Sequence, residues 1–345
     1  MEIKILNELE ILNNKKINSQ FLSVSLKEIA LNCKIYKGDF YLDSFNYLPI
    51  TKDNYSFSGI FGWQANSKYD HFFTKEFYSN FEKDKKHFKV FNDVIVLGSS
   101  PGDNYFRNLI TFLPRILFIS DRQISLAIHR KSSNKFRELI ENILKIREIE
   151  LKKFVYLDDD FYSFKNSIIP QFFSLKDSIK ILKKIFKKNH EKKSRIYLTR
   201  KNAYYRKIIN ESDLIDELKS KEFKIIDLDA FSIDEQVNIF SSAEIIVSST
   251  SSALANIVFC DEGTKVFEII PQYQFQYENS LKSRYSYLCS LLGFEYYSME
   301  ADPIKIDEVD ENTKKFVDIN VINNSNYYRN LLVKKNKFKK FINQI

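Results

Sequence analysis

Residues 243–271, AEIIVSSTSSALANIVFCDEGTKVFEIIP, decide the fold of this chain. The run EIIVS at 244–248 is short, apolar and β-branched, which predicts a buried strand, and KVFEII at 265–270 predicts a second one. Between them, the hydroxyl residues 248–252 precede a helix-like segment, ALANIVF at 253–259. A strand, a polar turn, a helix and a strand form the βαβ unit of a parallel sheet.

The hydroxyl-rich turn has two interpretations. Ligands of parallel sheets bind at the carboxyl ends of the strands, where the N–H groups and the dipole of a helix amino terminus favour an anion. Thr250, Ser251 and Ser252 would then bind a ligand such as a pyrophosphate. Alternatively, these residues only cap the helix, because Ser and Thr are preferred capping residues in any protein.

The composition is that of a globular protein with room for two domains. The 345 residues are 44% hydrophobic, 15% aromatic and 28% charged, and the formal net charge is +8. This charge favours an anionic partner such as a nucleotide, a nucleic acid or an anionic lipid. The net charge is weak evidence for such a partner, because an AT-rich genome also produces a lysine-rich, glycine-poor composition.

The sequence carries no sign of export or of a zinc-stapled fold. Its cysteines, Cys33, Cys260 and Cys289, form no CxxC motif and no Cys/His cluster, which argues against disulfides and structural zinc. The amino terminus lacks the apolar core of a signal peptide. The most hydrophobic run, residues 108–120, is interrupted by a proline and an arginine. We therefore expect a cytoplasmic protein.

The amino-terminal half predicts a second α/β unit. VIVL at 94–97 predicts a strand, a loop runs from Gly98 to Asn104, and a helix begins near Asn104. We expect Pro114 to end this helix and ILFIS at 116–120 to form the next strand. Other predicted elements are the strands KIYKGDFYL (34–42), SGIFGWQA (58–65) and FVYL (154–157), and the amphipathic helix KFRELIENILKIREI (135–149).

From Pro170 onward strands and helices alternate regularly, so we place a domain boundary there. Predicted strands are SRIYLTR (194–200) and FKIIDL (223–228), and predicted helices are SLKDSIKILKKIFKK (174–188), DLIDELKS (213–220), EQVNIFSSA (235–243) and RYSYLCSLLGF (284–294). We expect an amino-terminal α/β domain at 1–170, a second domain at 171–300 and a helical tail at 301–345. The basic helix predicted at 326–345 either packs back on the fold or lies on an anionic membrane surface.

Several polar residues fall on the ligand edge of the predicted second sheet. Arg200 ends the strand SRIYLTR, and Arg206 and Asn210 follow in the connecting loop. Guanidinium groups bind phosphate through paired hydrogen bonds, so these arginines suit a diphosphate. Glu268, near the end of KVFEII, could accept hydrogen bonds from ribose hydroxyls. The alternative is that these are surface arginines of a basic protein and a strand-end carboxylate without a role.

A second candidate site is the acidic run Asp158, Asp159 and Asp160, which follows the predicted strand FVYL. In a DxD arrangement, Asp158 and Asp160 would hold a divalent ion against a nucleotide diphosphate. The other interpretation is a solvated loop between two strands. No GxSxG or HExxH motif occurs, so the sequence does not support a hydrolase triad or a zinc protease.

Four segments occur in an order that is informative: DNYFRNLITFLPRI (103–116), YLTRKNAYYRKIINESDLI (197–215), IDEQVNIFSSAEIIVSSTSSALANIVF (233–259) and GTKVFEIIP (263–271). In these segments the chain resembles the bacterial members of glycosyltransferase family 61, which are often labelled capsular polysaccharide biosynthesis proteins. The likeness covers roughly residues 90–320. It implies a GT-B fold, in which two Rossmann-like domains face a cleft, and an inverting transfer of a hexose or pentose without an obligatory metal or another cofactor.

The resemblance also implies site residues. The donor, a nucleotide sugar that we expect to be UDP-linked, would bind the second domain through Arg200, Arg206, Asn210, Thr250, Ser251, Ser252, Asn256 and Glu268. Asn104, Tyr105 and Arg107 would lie on the acceptor side. Two departures matter: the usual His-Gly-Ala/Ser triplet is Thr250-Ser251-Ser252, and the usual His-Trp pair is Arg107-Asn108. Because of these two changes, the alternative is that the chain is an inactive member of the family or a member with a different acceptor.

The loop from Gly98 to Asn104 offers a candidate general base, Asp103. It follows a predicted strand, Gly102 allows a sharp turn, and Arg107 is close enough in sequence to favour the ionised carboxylate. Asp103 would accept the proton of the acceptor hydroxyl. Alternatively, it only caps the helix that begins at Asn104.

These observations predict a cytoplasmic glycosyltransferase that adds a sugar to a glycan or lipid-linked acceptor during assembly of a capsule or O-antigen. A peripheral position at the inner membrane is an added alternative. The competing hypotheses are a metal-dependent GT-A transferase that uses Asp158 and Asp160, and a non-enzymatic nucleic-acid-binding protein. The latter has little support because the basic residues are scattered and no nucleic-acid-binding motif is present.

Overall fold

The computed structural model of the chain describes residues 35–44, 47–52, 75–100, 103–186, 194–305, 314 and 319–344, and the backbone of short strands at 5–6, 16–17, 27–29 and 55–57. The chain divides into two compact units, 1–181 and 182–345. Each unit has its own sheet. The domain limits expected from the sequence, with a boundary at Pro170, stay a prediction. The strand expected at 58–65 and Gly102 lie outside the described residues.

The first unit is built on a mixed sheet. Its strands are β1 (Ile5–Leu6), β2 (Lys16–Ile17), β3 (Lys27–Ile29), β4 (Ile35–Asp43), β5 (Leu48–Thr51), β6 (Tyr55–Phe57), β7 (Lys89–Asn92), β8 (Ile95–Val96), β9 (Gln123–His129), β10 (Glu150–Leu157) and β11 (Phe161–Pro170). Their order is β10-β9-β8-β11-β4-β5-β6-β3-β2, with β1 on β4 and β7 on β11. The strands β8 to β11 are parallel, whereas β4 runs antiparallel to both β11 and β5. The first sheet is therefore not the all-parallel sheet of a Rossmann-like domain.

Helices of the first unit lie between these strands. They are α1 (Lys75–Asp84) with a 3-10 turn at Lys85–His87, α2 (Tyr105–Arg107), α3 (Asn134–Ile146) and α4 (Leu175–Ile185), and the division between the two units falls inside α4. The amphipathic helix expected at 135–149 is confirmed as α3, which buries Phe136, Leu139, Ile140, Ile143 and Leu144.

The expected strand ILFIS is wrong. After α2 the chain continues as a π-helical turn, Asn108–Phe112, and a 3-10 helix, Leu113–Phe118. Pro114 lies in the first turn of the 3-10 helix, where its missing N–H leaves no hydrogen bond unmade. The Arg147 guanidinium then donates to the carbonyls of Ile116 and Ile119 at the far end. A buried helical path is thus stabilised by a tertiary contact that local β-propensity does not reveal.

Gly98, two residues after the end of β8, is required by its surroundings. Its φ is +76°, and a Cβ at this position would lie 2.5 Å from the ring of Tyr47. The Tyr47 hydroxyl accepts a hydrogen bond from the Ser99 N–H at 2.8 Å. Only glycine combines the left-handed backbone with this close approach, so the start of the loop toward Asp103 is fixed by packing.

The second unit has a parallel sheet with one antiparallel edge strand. Its strands are β12 (Ser194–Leu198), β13 (Phe223–Ile226), β14 (Ala243–Ser249), β15 (Lys265–Pro271), β16 (Glu295–Ile304) and β17 (Asn330–Leu332). The order is β13-β12-β14-β15-β16-β17, and only the β16–β17 pair is antiparallel. Each strand expected here from the sequence is present, and the sheet is that of a doubly wound α/β unit, whose strand order reverses between β12 and β14.

Helical segments of the second unit include α5 (Ser212–Ser220), α6 (Ile233–Ser241), α7 (Asn279–Lys282), α8 (Arg284–Leu292), α9 (Ile319–Asn324) and α10 (Lys335–Ile342), with 3-10 helices at Leu228–Ala230, Ser252–Phe259, Gln276–Glu278 and Asn326–Tyr328. Helix α6 begins with the capping box expected from the sequence, formed by Ser232 and Glu235. One face of the sheet forms a core with α5 and α10, in which Val247, Phe267 and Phe338 are buried together. Neighbouring strand residues such as Ile246 and Val266 are buried on the opposite face.

The single helix expected at 326–345 is wrong. The segment forms a 3-10 turn, then β17, and only then α10. Residue Leu331 is fully buried, and its backbone exchanges hydrogen bonds with the carbonyl of Lys207 (2.8 Å) and the N–H of Ile209 (2.9 Å). Sheet pairing therefore overrides the helical pattern of the segment. The apolar side chains of α10, Phe338, Phe341 and Ile342, are buried in the core of this unit, so that face is not free to enter a membrane.

Candidate functional site

The strongest candidate site lies where the strand order of the second sheet reverses. In doubly wound sheets this is where ligands bind, at the carboxyl ends of the two strands that flank the reversal. Here β12 ends at Leu198 and is followed by Thr199 and Arg200, and β14 ends at Ser249 and is followed by Thr250 and Ser251. The sequence order of these strands therefore brings Arg200 and the hydroxyl-rich turn to one edge.

Ser251 distinguishes the two interpretations of the hydroxyl-rich turn. It occupies the N-cap position of the 3-10 helix Ser252–Phe259, but its side chain makes no capping hydrogen bond. The hydroxyl is buried and has no hydrogen-bond partner. Its carbonyl accepts a hydrogen bond from the Tyr285 hydroxyl, which fixes the turn. Because a capping serine would bond the helix amides, Ser251 is not acting only as a cap.

Arg206 is the central residue of the site. It is 4% exposed, yet Nε and Nη1 of its guanidinium have no hydrogen-bond partner. Its backbone has φ +60°, which is uncommon for a residue other than glycine, and is held by Arg329 O (2.8 Å from the Arg206 N–H) and by Ser249 Oγ (3.0 Å from the Arg206 carbonyl oxygen). Such backbone clusters at active sites and ligand clamps. Because six other described non-glycine residues share a positive φ, it supports the site only together with the unpartnered nitrogens.

Aromatic rings and other arginines surround Arg206. Its guanidinium carbon lies 3.8 Å from the ring centroid of Tyr327 and 4.7 Å from that of Tyr205. Burial and the charge of Arg206 lower the pKa of Arg200 to about 10, so both groups are cationic near neutral pH. Arg284, at the start of α8, also interacts with Arg206 and with Tyr327. We call Arg200, Arg206 and Arg284 the arginine cluster.

Unpartnered buried atoms concentrate around the arginine cluster. Among the described residues, the buried side-chain atoms without a hydrogen-bond partner are Ser100 Oγ in the first unit and Arg200 Nε, Arg206 Nε, Arg206 Nη1, Ser251 Oγ, Glu268 Oε1 and Tyr273 Oη in the second. In native proteins nearly all buried polar groups have a hydrogen-bond partner. Several unpartnered buried atoms in one place therefore indicate a ligand-binding site. Most of these atoms are hydrogen-bond donors, which favours an anion.

Glu268 lies in the middle of β15 and is 1% exposed. Burial raises the pKa of its carboxyl group to about 7, although hydrogen bonds from Thr250 and Tyr296 and the charges of Arg206 and Arg284 oppose this rise. The Tyr296 hydroxyl donates to Oε2 at 2.6 Å. Glu268 therefore belongs to the wall of the site, and its charge near neutral pH depends on what binds there.

The other donor-side candidates have different surroundings. Asn210 donates to Val333 O (2.9 Å) and accepts from Val333 N (3.1 Å), which ties its loop to the end of β17. Asn256 is buried and donates to Gln236 Oε1 at 3.1 Å. Ser252 is half-buried at the start of the 3-10 helix. These contacts give Asn210 and Asn256 structural partners, whereas Arg200, Arg206, Thr250, Ser251 and Glu268 come together.

In the first unit, Asp103 connects two helix starts. Its Oδ1 accepts hydrogen bonds from Asn108 Nδ2 (2.9 Å) and from the N–H of Ser133 (3.0 Å), the N-cap of α3. Burial raises the pKa of the Asp103 carboxyl group to about 6, against hydrogen bonds from Ser133 and Asn108 and the charge of Arg137. The cation that contributes is Arg137, on α3, where the sequence suggested Arg107.

Asp103 is not the cap of α2. Asn104 has that role, because its Oδ1 accepts from the N–H of Arg107 at 3.1 Å. Tyr105 and Arg107, the other acceptor-side candidates, form the first turn of α2 together with Phe106 and are partly exposed. The capping alternative for Asp103 is therefore wrong, and a carboxyl group whose pKa lies near 6 remains beside a loop.

The carboxylates of the acidic run have separate partners. Asp158 pairs with Arg130 (2.8 Å), Asp159 with His129 (2.9 Å) and Lys131 (3.3 Å), and Asp160 accepts from the N–H of Phe161 at 2.7 Å. Burial lowers the pKa of His129, whose Nδ1 accepts from the Lys131 N–H, so the neutral ring donates through Nε2 to Asp159. These ion pairs compete with the metal coordination that the DxD hypothesis requires.

Comparison with protein families identifies the chain. The sequence model described as Glycosyltransferase 61 matches residues 47–267, which is more than half of the chain. The chain belongs to glycosyltransferase family 61. It is therefore a glycosyltransferase, as the four ordered segments predicted. The match begins earlier than residue 90 and ends inside β15, so it includes Arg200, Arg206 and Ser251 but stops before Glu268, Arg284 and Tyr327. A comparison with curated proteins gave no match.

Membrane-spanning helices and metal clusters are both absent from the described part of the chain. No helix there has the length and hydrophobicity needed to cross a bilayer. The described residues also include no group of three or more His, Cys, Asp or Glu placed to hold a metal ion.

Sequence reasoning missed the aromatic and basic residues that complete the site: Tyr205, Tyr273, Arg284 and Tyr327. Tyr205 is the neighbour of Arg206, and its pairing with an arginine could have been noticed in the motif NAYYRK. Tyr327 had no such signal. It reaches Arg206 only because β17 pairs with β16 and bonds to residues 207–209, which is a long-range contact.

Proposed function

We propose that this glycosyltransferase takes its sugar from a nucleoside-diphosphate donor, whose diphosphate binds at the arginine cluster. One observation carries the proposal: buried, unpartnered donor atoms of Arg200, Arg206, Ser251 and Tyr273 occur together at the reversal of a doubly wound sheet. Leaving cationic groups buried and unpaired is costly, and a diphosphate would supply both the charge and the acceptor oxygens. UDP is the diphosphate that we expect.

The proposed reaction is an inverting displacement at the anomeric carbon. The acceptor hydroxyl attacks as it loses its proton to Asp103, and the nucleoside diphosphate leaves from the opposite side. Asp103 suits the role of base because a carboxyl group with a pKa near 6 is ionised at neutral pH and still accepts a proton readily. The arginine cluster would stabilise the charge that develops on the leaving group. In this proposal no divalent metal is required.

The proposal also includes an acceptor and a pathway. The acceptor would be a glycan or a lipid-linked glycan, and the GT-B fold that the resemblance implies stays a prediction. The expected pathway is the synthesis of a surface polysaccharide such as a capsule or an O-antigen, in the cytoplasm or at the inner membrane. The departures at Thr250–Ser252 and Arg107-Asn108 mean that the family likeness does not extend to the choice of sugar.

Calorimetric titration of the full chain with UDP, GDP, CDP and CMP tests the proposal. Binding at a built site should give one clear preference and should survive moderate salt, because the arginines are buried or half-buried. Equal binding of all four nucleotides that disappears with added salt would show only a basic surface and would contradict the proposal.

A further inference from the structure

Ser249 belongs to the hydroxyl run 248–252, and its side chain has a partner in another loop. It is the last residue of β14 and is 2% exposed. Its Oγ donates a hydrogen bond of 3.0 Å to the carbonyl oxygen of Arg206, which lies 43 residues earlier in the chain. This bond connects the end of β14 to the loop after β12, the two segments that flank the reversal of strand order.

The position of Ser249 in its strand explains why this hydroxyl is buried. Side chains of a strand alternate between the two faces of the sheet, so Ser249 follows Ile245 and Val247 on one face. Both of these residues are buried in the core with α5 and α10, and Ile208 from the loop after β12 belongs to the same core. An apolar side chain would continue this core, whereas a buried hydroxyl is tolerated only with a hydrogen-bond partner. The Arg206 carbonyl is that partner.

The backbone of Arg206 is held at both of its peptide groups. Its φ of +60° lies in the left-handed region, which is unfavourable for a residue that carries a Cβ. The Arg206 N–H donates to Arg329 O at 2.8 Å, and the carbonyl accepts from Ser249. The residues that follow are held by hydrogen bonds to the backbone of Leu331. Of the two contacts to the Arg206 backbone, the one from Ser249 is made by a side chain, so a single substitution removes it.

We propose that Ser249 is a positioning residue for the donor diphosphate, because its hydroxyl keeps Arg206 in the left-handed conformation that places the guanidinium in the arginine cluster. This inference rests on the proposed function and gives a role to a hydroxyl that already has a protein partner. In that conformation Nε and Nη1 of Arg206 are buried and without hydrogen-bond partners, so they can bind phosphate oxygens.

Without the bond from Ser249, residue 206 can relax toward the right-handed or extended conformations, which turn its Cα–Cβ bond in another direction. Only the fraction of molecules that keeps the left-handed conformation then binds the anion at full affinity. Loss of the Ser249 hydroxyl should therefore weaken the binding of any diphosphate, although Ser249 does not touch the ligand.

Calorimetric titrations of the full chain with inorganic pyrophosphate and UDP test this inference. Ser249→Ala removes the hydroxyl and should weaken the binding of both probes about fivefold, the factor that corresponds to the loss of one neutral hydrogen bond. The factor should be the same for both probes, because the diphosphate is the part that Arg206 binds. Ser249→Thr keeps a hydroxyl donor on a side chain that strands favour, and should bind both probes within about twofold of wild type.

Ser241→Ala is the matched control. Ser241 is fully buried on α6, and its Oγ also donates to a backbone carbonyl, that of Asn238, at 3.1 Å. Because α6 ends just before β14 begins, Ser241 lies near the opposite end of β14 from the arginine cluster. This variant loses a comparable hydrogen bond and should bind both probes within about twofold of wild type.

Several outcomes would overturn the role of Ser249 and leave the donor site intact. They are unchanged binding by Ser249→Ala, an equal loss of affinity in Ser241→Ala, a loss for UDP but not for pyrophosphate, and binding by Ser249→Thr that is no tighter than that by Ser249→Ala. If wild type binds neither probe, the proposed donor site fails, and the role of Ser249 fails with it.

Discussion

Arg206→Met should stabilise the protein while removing donor binding. The wild-type guanidinium is 4% exposed and leaves Nε and Nη1 without partners. A buried polar atom without a hydrogen bond costs about 1–3 kcal/mol, so two of them cost about 2–6 kcal/mol. Methionine fills the space of the side-chain stem with a flexible apolar chain. The backbone hydrogen bonds of residue 206 to Arg329 and Ser249 do not involve the side chain and should persist.

The substitution also removes two stabilising contacts of the guanidinium, with the rings of Tyr327 and Tyr205. Each of these two cation–π contacts contributes about 0.5–2 kcal/mol. We therefore expect a net stabilisation of about 1 kcal/mol, which raises the melting temperature by about 2–4 °C for a unit of this size. Such a result is expected of a residue that is retained for binding at the expense of stability.

Arg115→Met is the matched control in the first unit. Arg115 is fully buried like Arg206, but its Nε donates to Pro170 O at 3.1 Å and its Nη1 donates to Leu97 O. Truncation removes the partner of both carbonyls, so we expect a destabilisation of about 2–4 kcal/mol. Scanning calorimetry in phosphate-free buffer gives both values, since a bound anion would add to the stability of wild type. A destabilisation by Arg206→Met as large as that by Arg115→Met would refute the reasoning.

Three further predictions concern Asp103, Glu268 and the metal question. Asp103→Asn keeps the Oδ1 acceptor and tolerates the backbone φ of +47°, so turnover should fall on the order of a hundredfold with donor affinity unchanged. Wild-type turnover should also decline below about pH 6, where the base is protonated, and near-normal turnover of the variant would exclude Asp103 as the base. The pKa of Glu268 is higher in the folded chain (about 7) than its ordinary value of 4.5, so the folded state retains the proton that the unfolded state loses. Glu268 should therefore contribute a fall in stability of up to about 3 kcal/mol as the pH rises from about 4.5 to about 7. Urea titrations of Glu268→Gln should show a pH slope that is smaller than that of wild type by this amount, because the raised pKa of Asp103 contributes to the slope in both proteins. The same pH slope in that variant would contradict this account of Glu268. Activity should persist in EDTA, and Asp158→Ala, which breaks only an exposed ion pair with Arg130, should be mild; loss of activity in EDTA with rescue by manganese would show that a metal is required.

The second sheet could be predicted well because its signals are local. Each strand there is a short apolar run, and turn or capping residues such as Ser232 and Gly263 mark the limits. Alternation of strands and helices then implies parallel pairing. The position of Arg200 and of the hydroxyl-rich turn at one edge follows from the same rule, which needs no knowledge of side-chain contacts.

What the sequence could not predict depends on contacts between distant residues. The segment after Pro114 stays helical because Arg147, far along the chain, donates to its last carbonyls. The segment around Leu331 is a strand because the backbone at 207–209 offers hydrogen bonds. The position of the Tyr327 ring against Arg206 follows from that pairing. A helical hydrophobic pattern in the tail therefore predicted α10 correctly but extended it too far toward the amino terminus.

For the candidate site, only the chemical type of the side chains could be predicted from the sequence. The sequence indicated arginines and hydroxyl groups suited to phosphate, but not that Arg206 is buried with unpartnered nitrogens or that Ser251 makes no capping bond. Burial is the quantity that decides the matter, because an exposed arginine would need no ligand. Asn210 and Asn256, equally plausible by type, have backbone or side-chain partners of their own.

A crystal structure of the protein with the nucleoside diphosphate that binds best tests the central claim most directly. The account predicts phosphate oxygens within about 3.2 Å of Arg206 Nη1 or Nε and of Ser251 Oγ, so that the atoms now without partners become hydrogen-bonded. The nucleotide bound elsewhere, with the Arg206 nitrogens still unpartnered, would contradict the account.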